Sequence, residues 1–466
     1  MAQSSVLRLR LPLALSLVAL LGSTVTTLAE PVFGTPAPFS GMVRFAGPQG
    51  APVYSGEEIS ADGRGFAPGQ PITVLRGATR LSPEDLKADD KGGFSFTFPL
   101  PADAVTGLQP IVVQTAGPDS ADVVDMQVSP KIPVSGAEKF DIVAEKVTRG
   151  LYQVVYSEKN GVLFVTSAVG RPPVKDSKLL KLDPKTLKVL AEVSPTEAPA
   201  QGDRPGGLFA VYGVAVDDAN GTVWVGNSRQ NTIAVYNQSD LSLVKQFPAG
   251  TVPHSRDIIV DAANGLVYAG TSVNNQIMIF DAKTLEQVDT ITIDSKERGG
   301  KFGIMSLTFD PAAHTLYTVS MTSAELARIN LKDKSVDVLP VPGSVRGSGI
   351  AYDPKADRIF VASQGSDNLI AIDGKTGDVV FDTPVGAGPL NALYDAATGT
   401  VLVMNRGSDT IASVDAATGK IVANLAVGSF PNHATVTQDG TIYAVNKSRG
   451  QDDAEGDQIW RIVPKK

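Results

Sequence analysis

Tyr152, Tyr212, Arg229, His254, Arg256, Arg346, Asn391, Arg406, Asn432, His433 and Lys447 are the side chains of this sequence best suited to holding a ligand. They supply guanidinium, amine, amide and imidazole donors and not one carboxylate. Cations converging on one place favour an anionic small molecule or polyanion, bound through charge-assisted and often bidentate hydrogen bonds. The plainer reading is that they are solvated rim residues on a loop-rich face. Tyr152 and Tyr212 beside arginines also suit the stacking of single-stranded nucleic-acid bases. His254 and His433 with Asp257 are the nearest approach to a metal-binding set. Asp257, Asn391 and Asn432 supply part of the ring that a metal-assisted hydrolase would need, without a clear general base. His314, the remaining histidine, falls in a turn on the opposite face and reads as surface. The acidic loop Asp452-Asp453-Ala454-Glu455-Gly456-Asp457 has carboxylates suited to Ca²⁺ but not the full EF-hand spacing, and reads as a solvated insertion.

Much chemistry is excluded. With no cysteine in 466 residues there is no thiolate metal site, no covalent c-type haem and no cysteine nucleophile. No nucleophile-elbow serine with suitable His and Asp partners occurs, and no Walker or dinucleotide fingerprint. No cofactor is implied. Residues 1–29 carry Arg8 and Arg10 and no acid. Without them 39 basic residues face 49 acids, so the net charge goes from −8 to −10. A chain that acidic is no general nucleic-acid coat.

The frame that positions these side chains is a repeat. Val216-Asp217-Asp218-Ala219-Asn220-Gly221 and Val260-Asp261-Ala262-Ala263-Asn264-Gly265 begin the same pattern, which recurs from Asp310, Asp353 and Asp395. Ser157 and Val436 extend it to seven copies, with an aromatic or Leu seven residues after each anchor. Asn237, Asp281, Asn330, Asp373 and Asp415 mark a second turn twenty residues after the anchor in five successive copies. Four strands per copy, at a period of mostly 41 to 49 residues, predict the blades of a seven-bladed β-propeller over residues 139–466. The seventh copy ends within three residues of Val463, one strand short. Phe140–Val147 has no copy of its own and is expected to complete it. In such a ring the loop entering each blade and the loop between its second and third strands share one face, which carries the candidate residues.

The N-terminal third reads differently. Residues 1–29 have a basic start, an apolar run from Leu11 to Leu21 and a small residue, Ala29, at the expected cleavage point, the pattern of a Sec-type bacterial signal peptide. The chain is therefore expected in the periplasm or secreted. Residues 30–39 read as a Pro-rich linker. Residues 40–134, with strand-length runs such as Phe94-Ser95-Phe96-Thr97-Phe98 between Gly, Pro and Asp turns, read as an immunoglobulin-like β-sandwich. The fold class is thus all-β.

Phe164-Val-Thr-Ser, Trp224-Val-Gly-Asn, Tyr268-Ala-Gly-Thr and Tyr443-Ala-Val-Asn resemble the YVTN β-propeller repeat, as do Asn231-Thr-Ile-Ala-Val and Asp409-Thr-Ile-Ala-Ser. Lys146-Val-Thr-Arg-Gly-Leu-Tyr152 and Asp457-Gln-Ile-Trp-Arg-Ile resemble the YncE-like periplasmic proteins. The resemblance covers residues 139–466 and implies a binding or scaffold module, with enzymes among the relatives. The reading taken from the sequence as a whole is a non-enzymatic binding or scaffold protein, with the immunoglobulin-like module for an envelope protein partner. Two tryptophans in all argue against the Trp-docked quinoprotein propellers.

Overall fold

The computed structural model describes residues 37–465, apart from 201, 204 and 273. The expected signal segment, and the linker as far as residue 36, lie outside the described residues. No helix among the described residues is long and apolar enough to cross a membrane.

The N-terminal module is built from two antiparallel sheets. One joins Met42–Ala46, Glu58–Arg64 and Phe94–Pro99; the other joins Thr79–Arg80, Ile72–Arg76, Gly107–Thr115 and Ser120–Val128. Phe94, Phe96 and Phe98 alternate with polar residues, so one face of their strand is buried and the other wet. Those rings, Ile59, Val74 and Ile111 share a single core drawn from both sheets.

From Leu151 onward the chain forms six successive four-stranded antiparallel sheets, each strand pairing with its predecessor. A seventh joins Pro431–Val436, Ile442–Asn446 and Gln458–Pro464 to the distant strand Phe140–Lys146. The last pairing runs from Gln458↔Lys146 to Pro464↔Phe140, so the segment left over in the sequence completes the final sheet. The first strands of the seven sheets each contact the next, and that of the seventh contacts that of the first. This closed cycle is a β-propeller.

Each first strand ends on the anchor of the repeat: Ser157, Asp217, Asp261, Asp310, Asp353, Asp395 or Val436. The aspartates are there because their carboxylates close the turn. Asp217 Oδ1 accepts from the amides of Ala219 and Asn220, both at 3.1 Å, and Asp353 Oδ1 from that of Lys355 at 2.9 Å. The second turn works alike: Asp281 Oδ1 accepts from Lys283 and Thr284 at 2.9 and 2.6 Å. Those amides hold the Asp281 carboxyl below the usual range.

Inter-sheet cores take the aromatic or Leu that follows each anchor. Trp224 packs against Phe247 and Phe280, and Trp224, Tyr268 and Tyr443 are all buried. Burying a large side chain contributes about 1.5–3 kcal/mol, so these residues are structural. His314 is also structural rather than simple surface. Its Nε2 lies 2.6 Å from Asp261 Oδ2 and ties the first turn of sheet four to that of sheet three.

A second tie runs around the other face. Asn231, Asp367, Asp409 and Asp457 head third strands in the left-handed conformation, φ 56° to 61°. Each carboxylate or amide oxygen accepts the amide that leads into the next sheet: His254, Gly388, Phe430 and Gly150, at 2.8–3.0 Å. The N-terminal module docks on this face at sheets five and six. Gln127 Nε2 donates to Asp367 Oδ2 at 3.0 Å, and Ser135 exchanges backbone hydrogen bonds with Asn424.

Candidate functional site

Every first strand loses register against its neighbour near its start, at Val211/Val214, Ser255/Ile258, Pro389/Asn391 and the corresponding points of the other four sheets. A bulge adds a residue and re-aims side chains. Here it delivers Tyr152, Tyr212 and Arg256 to one end of the propeller axis, while Gln153, Asp257, Ser306, Asn391 and His433 line the axis itself. Gly213 permits the crowding, since a Cβ there would lie 2.1 Å from the Arg256 carbonyl oxygen.

Two cavities result. The mouth, about 360 Å³, is lined by Tyr152, Gly170, Arg171, Tyr212, Ser228, Arg229, His254, Arg256, Arg406 and Lys447. The channel beneath, about 390 Å³, has walls from all seven first strands. Arg256 stands between them, buried, with Nη1 donating to Ser306 Oγ at 2.7 Å and Nη2 to Asn391 Oδ1 at 3.2 Å. Its Nε has no partner among the described residues.

The loops after the second strands supply Arg406 and Lys447. The buried residues before them, Asn405 and Asn446, donate to the carbonyls of Val385 and Val427 at 2.7 and 2.9 Å, which fixes where the next side chain leaves the backbone. Arg406 lies over the Phe430 ring at 4.9 Å, and Arg449 over the same ring at 4.4 Å. Tyr152 and Tyr212 meet edge to face with centroids 4.6 Å apart. Arg229 lies over Tyr212 and donates from Nε to its hydroxyl at 3.2 Å.

The mouth holds four arginines and a lysine, and among the described residues none of the five forms an ion pair. Their titration reflects the crowding. Burial, with Arg406 and Arg229 adding and Asp457 opposing, brings Lys447 down from 10.5 to about 8. Burial and then Arg229 and Arg256 lower His254 as well. Burial also lowers Arg406, with Tyr152 opposing and Arg256 adding. For Arg256 burial acts downward, but Asp257 and Tyr152 outweigh it and the net shift is upward. In the channel, burial brings His433 down to about 4, against Asp257 and helped by Arg256. Its Nδ1 accepts from the Val154 amide at 3.4 Å, so the neutral ring carries its proton on Nε2.

Lys447 gives a signed prediction. The folded chain binds this proton less tightly than the unfolded chain does. The unfolded state therefore holds more protons between about pH 8 and 10.5, and stability rises with pH across that window. Lys447→Met removes the effect. The parent should gain on the order of 2 kcal/mol relative to this variant between pH 7 and 10.5, after allowance for solvent screening. Urea melts of both proteins at the two pH values measure it. A constant difference would mean that the ammonium is held at no cost.

Of the residues expected from the sequence, Tyr152, Tyr212, Arg229, His254, Arg256, Arg406 and Lys447 share the mouth. Asn391 and His433 lie in the channel. Asn432 is buried and donates to the Tyr152 carbonyl at 2.7 Å, bracing the mouth from behind. Arg346 lines neither cavity and is exposed on the same face, across the ring from the mouth at sheet five. His433 lines the channel with Asp257, but His254 sits in the mouth, so the three do not converge. No group of three or more metal-binding side chains occurs among the described residues. In the acidic loop, Asp453 accepts from the amides of Arg449 and Glu455, and Asp457 from those of Gly150 and Ser448. Those carboxylates brace the loop and, through Gly150, tie it to the start of sheet one. Ser306 and Gln153 were not singled out by the sequence, although they hold the frame position of Asp257 and Asn391.

A family model described as outer membrane protein assembly factor BamB matches residues 313–422, within sheets four to six. No curated protein matches the chain. Three solved structures are similar in fold. U3-55K is 10% identical with a TM-score of 0.56, over 70% of this chain and 98% of its own. Kuenenia stuttgartiensis hydrazine synthase is 16% identical at TM-score 0.54, over 68% and 96%. Virginiamycin B lyase from Staphylococcus aureus is 14% identical at TM-score 0.54, over 70% and 100%. At these identities the likeness carries the propeller fold alone.

Proposed function

We propose that this is an exported periplasmic binding protein, a seven-bladed YVTN-type propeller with an immunoglobulin-like N-terminal module, whose mouth holds an anionic ligand. The observation that carries the reading is the convergence of Arg171, Arg229, Arg256, Arg406 and Lys447 on one cavity with no lining carboxylate. An empty cavity of that kind is a cluster of like charges, and an anion relieves it while gaining charge-assisted hydrogen bonds. The amides and rings behind the cations are already fixed, so little ordering opposes binding. The family match to an outer membrane protein assembly factor agrees with an envelope location.

Hydrolysis through a bound metal is the weaker reading, because His254 sits in the mouth and His433 and Asp257 in the channel. Base stacking is weaker too. Tyr212 is 5% exposed, and Tyr152, Arg229 and Lys447 already surround its ring.

Calorimetric titration with phosphate, pyrophosphate and di- and tricarboxylates at two ionic strengths tests the proposal. Binding should strengthen with ligand charge and weaken with salt. Arg346→Ala, outside the mouth, should leave the affinity unchanged. If no anion of the panel binds, or if Arg346→Ala weakens binding as much as Arg229→Ala, the mouth is not the site.

A further inference from the structure

Lys447 differs from the four arginines around it in being able to lose its proton. Its Nζ lies 5.7 and 5.8 Å from the ring centroids of Tyr152 and Tyr212 and 3.3 Å from the Ala168 carbonyl oxygen. No carboxylate of the described residues lies within ion-pair distance. The surroundings therefore offer its ammonium a carbonyl and two ring faces, and set cations beside it. With its pKa near 8, roughly a quarter of the side chain is free amine at pH 7.5, against about a thousandth of an exposed lysine. Desolvation and neighbouring cations are the two means by which a lysine becomes a nucleophile.

We propose that Lys447 captures the aldehyde or ketone group of an anionic ligand as a Schiff base, with the mouth arginines holding the ligand's carboxylate or phosphate. The inference rests on the anion-binding reading of the mouth and adds the ligand's second functional group. The free Nζ lone pair attacks the carbonyl carbon, and a proton moves from nitrogen to oxygen to give a carbinolamine. The carbon–oxygen bond then breaks, a second proton leaves with the oxygen, and one water is released for each C=N bond formed. No oxidant or reductant takes part. The Tyr212 hydroxyl, which accepts from Arg229 Nε, lines the same cavity and can supply a proton to the departing oxygen.

The test uses the full mature chain with glyoxylate and cyanoborohydride, which reduces an imine to a stable carboxymethyl-lysine. Peptide mapping should find Lys447 modified on the order of ten-fold or more faster than the exposed Lys87 and Lys91, with a midpoint near pH 8. Pyrophosphate should protect it. Lys447→Arg, which keeps the charge, should give no adduct at this position. If pyrophosphate binds the parent but Lys447 reacts no faster than Lys87 and Lys91, the Schiff-base inference falls and the anion site stands. If no anion binds and nothing protects Lys447, the anion-site reading falls and this inference with it.

Discussion

Arg256→Ala combined with Arg406→Ala should weaken pyrophosphate binding by roughly 3–6 kcal/mol, a factor of about 10² to 10⁴. Both guanidiniums line the mouth, and a hydrogen bond to a charged partner contributes about 1.5–3 kcal/mol. Both arginines are held before any ligand arrives. Ser306 and Asn391 fix Arg256, and Arg406 is stacked on a ring that Arg449 covers as well. The binding loss should exceed the stability loss. After Arg256 is removed, Asn391 Oδ1 and the Ser348 carbonyl oxygen share the one Ser306 hydroxyl proton, at 3.1 and 2.6 Å, so about one buried acceptor is left short. Melting should therefore show a cost of about 1–2 kcal/mol. Calorimetry and thermal melts on the same samples separate the two quantities. A double variant that binds pyrophosphate as tightly as the parent would leave these arginines as rim, and the ligand would have to be sought at the N-terminal module.

The strand plan was readable because turn chemistry marks it. An Asp that closes a turn with its own carboxylate has few substitutes, so Asp217, Asp261, Asp281 and Asp373 fall in the sequence where the strands end. Bulges carry no such mark. The extra residue of each first strand is Tyr, Arg, Met, Ser, Leu or Asn in different sheets, and nothing in its type separates it from its neighbours. Arg256 was therefore expected on a loop, whereas it lies within the strand Ser255–Asp261 and points at the axis.

Arg346 shows the other limit. In the repeat it matches His254 and Phe430, since each immediately precedes a first strand with φ between 46° and 54°. The frame placed it on the correct face. It could not say that the mouth is off-centre, lined from sheets six, seven, one, two and three. The walls explain the offset. The insertions of sheet one and of the link to sheet two pair at Val174↔Gly207 and carry Arg171 to the mouth. The N-terminal module occupies sheets five and six through Gln127 and Ser135, residues of ordinary type whose contacts no pattern announces.

Ring closure gives the last large effect. A chain beginning at residue 136 keeps the strand Phe140–Lys146, whereas one beginning at residue 149 loses it. The second should melt far lower. It forfeits seven paired positions along Gln458–Pro464, and with them the cover that Phe140 and Ile142 give to Trp460 and Ile462. Each lost ladder hydrogen bond contributes about 0.5–1.5 kcal/mol, and two half-buried apolar side chains add about 1 kcal/mol each. The sum is several kcal/mol, a drop on the order of 10 °C for a domain of this size. The bared strand would also offer an unpaired edge to other chains, so the shorter protein should aggregate as it melts. The tie from Asp457 Oδ1 to the Gly150 amide survives both cuts and isolates the strand's own share. Scanning calorimetry of the two chains decides the matter. Equal melting temperatures would mean that the ring holds through the contacts between its first and seventh sheets and does not need the strand.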